Sequence, residues 1–118
     1  MGVMEFAYDE VENDVLILKA DGGLNADTAE QFVRDIERLV EAGLRKVIVD
    51  CAELGYVSSL GLGVLVRLHG RMKRQGGEVK IAGLHGMAAQ MLAITRLNSL
   101  FAMYPDVNRA RLAFRPTR

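Results

Sequence analysis

The chain has 118 residues, half of them apolar, and its 15 basic residues are balanced by 15 acidic ones. That length and apolar content suit one compact domain with a real core, and the charge balance argues against a nucleic-acid binder that gains its affinity by neutralising phosphates. No run of about 18 uncharged apolar residues is present to span a membrane, residues 1–10 lack the basic start and apolar run of a secretory signal, and a single cysteine, Cys51, leaves no internal disulfide and points to a reducing, cytoplasmic setting.

Taken in chain order, the first dense apolar run is Val15 to Ala20, rich in strand formers, with Phe6 to Tyr8 as a shorter strand ahead of it and the polar residues 9–14 joining the two as a hairpin. Asp21-Gly22-Gly23 breaks the pattern. A helix follows, capped by Asn25 or Asp27, with Glu30 three residues after Asp27 as a capping box requires. Ala29, Phe32, Val33, Ile36, Leu39 and Val40 share one face at a 3.6 period, and Gly43 supplies the residue that ends the helix. Val47-Ile48-Val49 predicts a fully buried strand ending near Asp50, with Cys51 behaving as a small core hydrophobe.

Ser58 to Gln75 predicts the second helix, with Leu65, Leu68 and Met72 turned inward and Arg67, Arg71 and Arg74 facing solvent as ordinary solubility requires. Gly76-Gly77 stops it, and Val79 to Ala82 is the next strand. Gly86 to Leu97 predicts a third helix carrying Met87, Met91, Leu92 and Ile94; core packing suits most of Met87, Met91 and Leu92, with partial exposure as the alternative, and Leu100 to Tyr104 predicts a last strand. Pro105 opens a short terminal helix, Asp106 to Phe114, and the basic end (Arg109, Arg111, Arg115, Arg118) reads as a solvated tail. Strand, helix and strand in succession make a crossover unit with parallel strands and a right-handed connection. The sum is one α/β domain over residues 1–118, a mixed sheet of four to five strands covered by about four helices.

The stretch that could carry function is Tyr56-Val57-Ser58-Ser59-Leu60-Gly61-Leu62-Gly63-Val64-Leu65. It follows the end of a central strand, where α/β domains usually place their working loops. Two uses of its serines stay open. One serine can simply cap the helix by accepting a bond from a free amide of the first turn. Alternatively a serine is phosphorylated: the added charge of roughly −1.5 to −2 sits at a helix start that tolerates an anion, while a docked partner meets a new bulky group. Gly61, Gly63 and Gly70 each cost that helix about 1 kcal/mol relative to alanine, and close packing or a bare surface for a partner would offset the cost.

Enzyme chemistry finds little support. Gly61-Leu62-Gly63 starts like a dinucleotide motif but Val66 stands where the third glycine belongs, and no Gly-Lys-Ser/Thr run is present. His69 and His85 lie 16 positions apart without a cysteine or carboxylate at metal-ligand spacing. His69 is about 15 Å along the helix from Ser59, too far to act as its base. No catalytic residue, metal site or cofactor is therefore expected.

The order of elements and several words along it resemble the STAS domain of anti-sigma factor antagonists, over nearly the whole chain. Gly22-Gly23-Leu24-Asn25-Ala26-Asp27-Thr28 is similar to the family's Gly-Glu-Leu-Asp stretch with its following Thr, and Val47-Ile48-Val49-Asp50 to its central strand. Residues 56–65 resemble its Asp-Ser-Ser-Gly-Leu-Gly-Val-Leu signature, and Gly76-Gly77 before Val79 its Gly-Gly turn. The resemblance implies a domain that sequesters a GHKL-type serine kinase doubling as an anti-sigma factor, so freeing a sigma factor, until phosphorylation at the start of helix two ends the contact and a phosphatase restores it. Anchored on Gly61-Leu62-Gly63, the family's Asp falls on Ser58, its first Ser on Ser59 and its usual acceptor on Leu60, which has no hydroxyl; its acidic residue before helix one is Asn25. Either Ser59, or less readily Ser58, takes over as acceptor, or the domain binds constitutively.

The partner-binding face expected on this basis comprises Asn25, Ser58, Ser59, Leu60, Gly61 and Gly63. The partner is a protein, not nucleic acid, and no membrane insertion is involved. A second class is a STAS subunit of a lipid or ABC transport complex, gripping an ATPase subunit through the same surface without phosphorylation. A third is a small nucleotide-binding protein using the 58–63 loop.

Overall fold

A computed structural model of the chain describes residues 3–9, 15–24, 26–57 and 59–114. Among these residues run the strands β1 (Val3–Asp9), β2 (Val15–Leu24), β3 (Lys46–Val57), β4 (Glu78–Ala82) and β5 (Ala102–Tyr104), and the helices α1 (Ala26–Glu41), α2 (Ser59–Arg74), α3 (Gly86–Ile94) and α4 (Val107–Ala113). The strands lie in one sheet in their sequence order, β1-β2-β3-β4-β5. β1 is antiparallel to β2, and each later neighbour is parallel to the one before it.

Each parallel step needs a crossover helix, and crossovers of one hand running in one direction place their helices on one side of the sheet. The core has that arrangement. Leu16 and Leu18 of β2, Val47 and Val49 of β3, and Val79 and Ile81 of β4 are buried against Val33, Ile36 and Val40 of α1, Leu65, Leu68 and Met72 of α2, and Ala88 and Leu92 of α3. Strand side chains alternate between faces, so Val15, Ile48 and Ala82 point the other way, where Ala110 and Phe114 at the α4 end of the chain cover them. Lys80 shares that second face. Its ammonium lies 2.9 Å from Glu78 Oε2 and sits 4.5 Å from the Phe114 ring centroid, so the buried cation has both a carboxylate and an aromatic partner.

α1 and α2 end in the same way. Gly43 (φ +113°) donates to Val40 O at 3.0 Å and Leu44 to Leu39 O at 3.0 Å; Gly76 (φ +79°) donates to Lys73 O at 3.1 Å and Gly77 to Met72 O at 2.7 Å. This is the paired closing of a Schellman motif, which places glycine in the left-handed position. Gly77 answers a different demand: a Cβ there would lie 2.6 Å from Arg45 O.

Several boundaries differ from the sequence-based expectation. Asp21-Gly22-Gly23 does not end its strand. β2 continues to Leu24 and β3 to Val57, paired as Asp21↔Glu53, Gly22↔Leu54, Gly23↔Tyr56 and Leu24↔Val57, with register shifts on either side of Asp21-Gly22. β4 stops pairing with β3 at Asp50↔Ala82, so this extension is a two-stranded ribbon. Its buried residues, Cys51, Leu54 and Val57, come every third position rather than every second, which hides it from a period-2 search. α1 already begins at Ala26, so Asp27 lies inside its first turn rather than capping it. α3 stops at Ile94, and Arg96 takes a left-handed conformation (φ 62°) before a short 3-10 turn, Leu97–Ser99. Of Met87, Met91 and Leu92, most of which were expected in the core, Leu92 is buried, Met91 is intermediate and Met87 is 60% exposed; Ile94 is 80% exposed.

Candidate functional site

Three helices, α1, α2 and α3, start at the same edge of the sheet, each just beyond the carboxyl end of a parallel strand. The ribbon of β2 and β3 carries two of these starts furthest. Because Leu24 and Val57 are paired across it, the chain entering α1 and the chain entering α2 leave neighbouring strand ends. Asn25 and Ser58, which follow those two residues directly, lie outside the described residues.

Ser59, Leu60 and Gly61 form the first turn of α2. The leading amides of a helix have no partner within it and carry the positive end of its dipole. No acidic residue stands in the first turn of α2 to neutralise that end. From there the helix divides by face. Leu62, Leu65, Leu68 and Met72 are buried, whereas Gly63 and Arg67 are exposed. A Cβ built at Gly63 would meet no atom within 4 Å. No packing among the described residues requires glycine there, and the helix presents bare backbone one turn after Ser59.

The ribbon is fastened from its flank by contacts that sequence reasoning missed. His85 Nε2 lies 2.8 Å from the backbone oxygen of Ala52, and the Ala52 amide donates to Asp50 Oδ1 at 3.1 Å. A Cβ at Gly83 would lie 3.3 Å from the Ala52 nitrogen. The loop between β4 and α3 therefore clasps β3 where the ribbon departs from the sheet. His85 falls between the expected strand Val79–Ala82 and the expected helix Gly86–Leu97, and no local pattern marks its bond to a residue 33 positions earlier. Tyr56, near the ribbon's end, is exposed.

The remaining candidates for chemistry are apart from this edge or inert. Cys51 is buried, and desolvation, with a smaller contribution from the Asp50 carboxylate, pushes its thiol up from 9.0 to about 12, so it is no nucleophile at neutral pH. His69 packs edge-on to Phe101, ring centroids 5.2 Å apart, and its buried Nδ1 has no hydrogen-bond partner among the described residues. No group of three or more His, Cys, Asp or Glu able to hold a metal is found among the described residues, and no helix among them is long and apolar enough to cross a membrane. What the edge offers is two neighbouring strand ends that lead into α1 and α2 and, at Gly63, an exposed stretch of backbone.

The sequence profile of the STAS domain matches residues 8–110. BtrV of Bordetella bronchiseptica, named as an anti-sigma factor antagonist, is 27% identical over 112 residues, covering 95% of this chain and 96% of its own. A Thermotoga maritima crystal structure described as an anti-sigma factor antagonist superposes with a TM-score of 0.85 at 23% identity, covering 94% of this chain and 95% of that one. The Bacillus cell fate determinant SpoIIAA in its phosphorylated form superposes with a TM-score of 0.73 at 15% identity, covering 94% and 100%.

Proposed function

Because this chain belongs to the STAS domain family, we propose that it works as an anti-sigma factor antagonist, binding a serine-kinase anti-sigma factor of the GHKL type and so releasing a sigma factor. On this reading it is a cytoplasmic regulator and not an enzyme. The binding face is the edge where β2 and β3 deliver the chain into α1 and α2: Asn25, Ser58, Ser59, Leu60, Gly61 and Gly63. The observation that supports the reading is the pairing of Leu24 with Val57, which sets side by side the two strand ends that precede Asn25 and Ser58.

Ser59 is the phospho-acceptor, with Ser58 the lesser candidate. A phosphate at the α2 start is tolerated by the free amides of the first turn, where no acidic side chain competes. The fold therefore survives modification. A partner lying against the bare backbone at Gly63 meets roughly two negative charges that it did not have to accommodate before, and the complex separates until a phosphatase removes them. The relative solved in a phosphorylated form is in keeping with such a switch.

The test is equilibrium binding to the organism's serine-kinase anti-sigma factor, by calorimetry or interferometry. Ser59→Asp is expected to weaken binding about tenfold or more while the melting temperature stays within the scatter of wild type. Incubation of wild type with that kinase and ATP should yield a phosphopeptide at Ser59. Equal affinities for wild type and Ser59→Asp, or only unmodified 58–59 peptide recovered with an active kinase, would remove the switch from the account.

A further inference from the structure

Charge is segregated along the helical layer. α2 carries Arg67, Arg71, Lys73 and Arg74 and no acidic residue, whereas α1 beside it carries Asp27, Glu30, Asp35, Glu37 and Glu41 against Arg34 and Arg38. Arg67, Arg71 and Arg74 stand at i, i+4 and i+7, which places them in one row over about 10 Å of helix. The row borders a groove of about 240 Å³ between α1 and α2, lined by Val33, Glu37, Arg67, Leu68, Arg71 and Arg74. Its floor is apolar, since Val33 and Leu68 are buried core residues.

One carboxylate faces these three guanidinium groups. Glu37 Oε2 lies 3.9 Å from Arg71 Nε, with side chains 36% and 39% exposed, a pair that contributes little. Arg67 and Arg74 are exposed and form no ion pair among the described residues. A Cβ at Gly70 would sit 3.8 Å from Arg74 Nη1, so the Arg74 guanidinium folds back over the preceding turn. The guanidinium fork matches a carboxylate with two parallel hydrogen bonds, which a lysine cannot do. A second basic cleft, lined among others by Arg45, Lys46, Lys73 and Glu78, differs in two ways: it has a carboxylate in its own wall, and its one guanidinium is turned to backbone, Arg45 Nη1 donating to Val40 O and Leu44 O.

We propose that the Arg67–Arg71–Arg74 row docks an acidic helix of the protein partner, with carboxylates at matching i, i+4, i+7 spacing over the arginines and one apolar side chain in the groove above Val33 and Leu68. This rests on the antagonist reading and extends its face: Arg67 is about 12 Å along α2 from Ser59, so one partner spans both. The mode is a helix laid along a groove, with anchors read at helical spacing.

Two measurements decide it. First, the 15N-labelled chain is titrated with a synthetic helix carrying glutamates at i, i+4 and i+7 and a leucine on the same face. Saturable shifts are expected along residues 33–37 and 67–74, weakening as salt rises and lost in Arg67→Glu/Arg74→Glu. Shifts centred on the Arg45 cleft, or none that saturate, would overturn the proposal. Second, affinity for the serine-kinase anti-sigma factor is compared between that double variant and Lys46→Glu/Lys73→Glu, which changes net charge equally. The row variant should bind about tenfold or more weakly and the control less than about twofold. Equal losses in both would reduce the effect to net charge and overturn the row. A kinase that fails to bind wild type, with the peptide still mapped to the row, would overturn the antagonist reading and leave the row standing.

Discussion

Cys51 shows how one buried atom links structure to solution behaviour. The residue is enclosed between the sheet and its helices, and its thiol is held up to about 12 mainly by desolvation and secondarily by the Asp50 charge. A raised thiol value means that the folded chain keeps a proton that the unfolded chain releases near 9.0. The stabilisation is complete below that lower value and is lost as pH climbs toward the upper one. Denaturant unfolding of wild type should accordingly lose free energy more steeply than Cys51→Ala from about pH 9 to about pH 11. Parallel slopes would mean that the thiol ionises as freely folded as unfolded. The burial itself was legible in the sequence, because a lone cysteine at the end of an apolar run is a local signal. The His85 bond to Ala52 O was not, since its partners are 33 residues apart and meet only when β4 lies beside β3.

At the scale of elements, α1, α2 and β4 were readable because apolar spacing and the stops at Gly43 and Gly76 are written locally. The ribbon was not: past Asp50 the buried positions of β3 fall every third residue, and only the pairing with β2 makes them a strand. That ribbon delivers the chain to α2, whose own design sets two demands against each other. Glycine at an exposed helical position costs about 1 kcal/mol relative to alanine, and Gly63 has open space where a Cβ would stand. Gly63→Ala should thus raise the melting temperature. If the bare backbone receives the anti-sigma kinase, the added methyl intrudes on a packed interface at a cost of about 1 kcal/mol or more, roughly a fivefold loss of affinity. Stability and binding are expected to move in opposite directions. A variant that melts higher and binds as tightly as wild type would place the partner elsewhere.

The whole molecule is a sheet with unequal faces. Three helices cover one side, as same-handed crossovers between parallel strands require when the strands lie in sequence order in the sheet; the order of elements along the chain predicts the crossovers but not that strand order. Among the described residues, the second side is closed where Val107, Ala110 and Phe114 meet Val15, Ile48 and Ala82. Nothing in the short apolar pattern of residues 107–114 says which face it will choose, since a single helical turn or two fits either. Phe114 is the residue on which that closure turns: it is 7% exposed, and the buried Lys80 ammonium sits 4.5 Å from its ring centroid. Phe114→Ala removes the ring from both the apolar contact and the cation. Full truncation of a core phenylalanine costs about 3–5 kcal/mol, and because this one lies at the end of a short terminal helix the lower part of that range is expected. Leu112, on the same helix but 66% exposed, supplies the internal comparison: its replacement by alanine should change stability by no more than about 0.5 kcal/mol. Urea unfolding of the two variants beside wild type separates the cases. If α4 is an integral layer, Phe114→Ala unfolds at clearly lower denaturant and Leu112→Ala does not; if α4 merely rests on the sheet, local release of the helix caps the loss and the two variants unfold together.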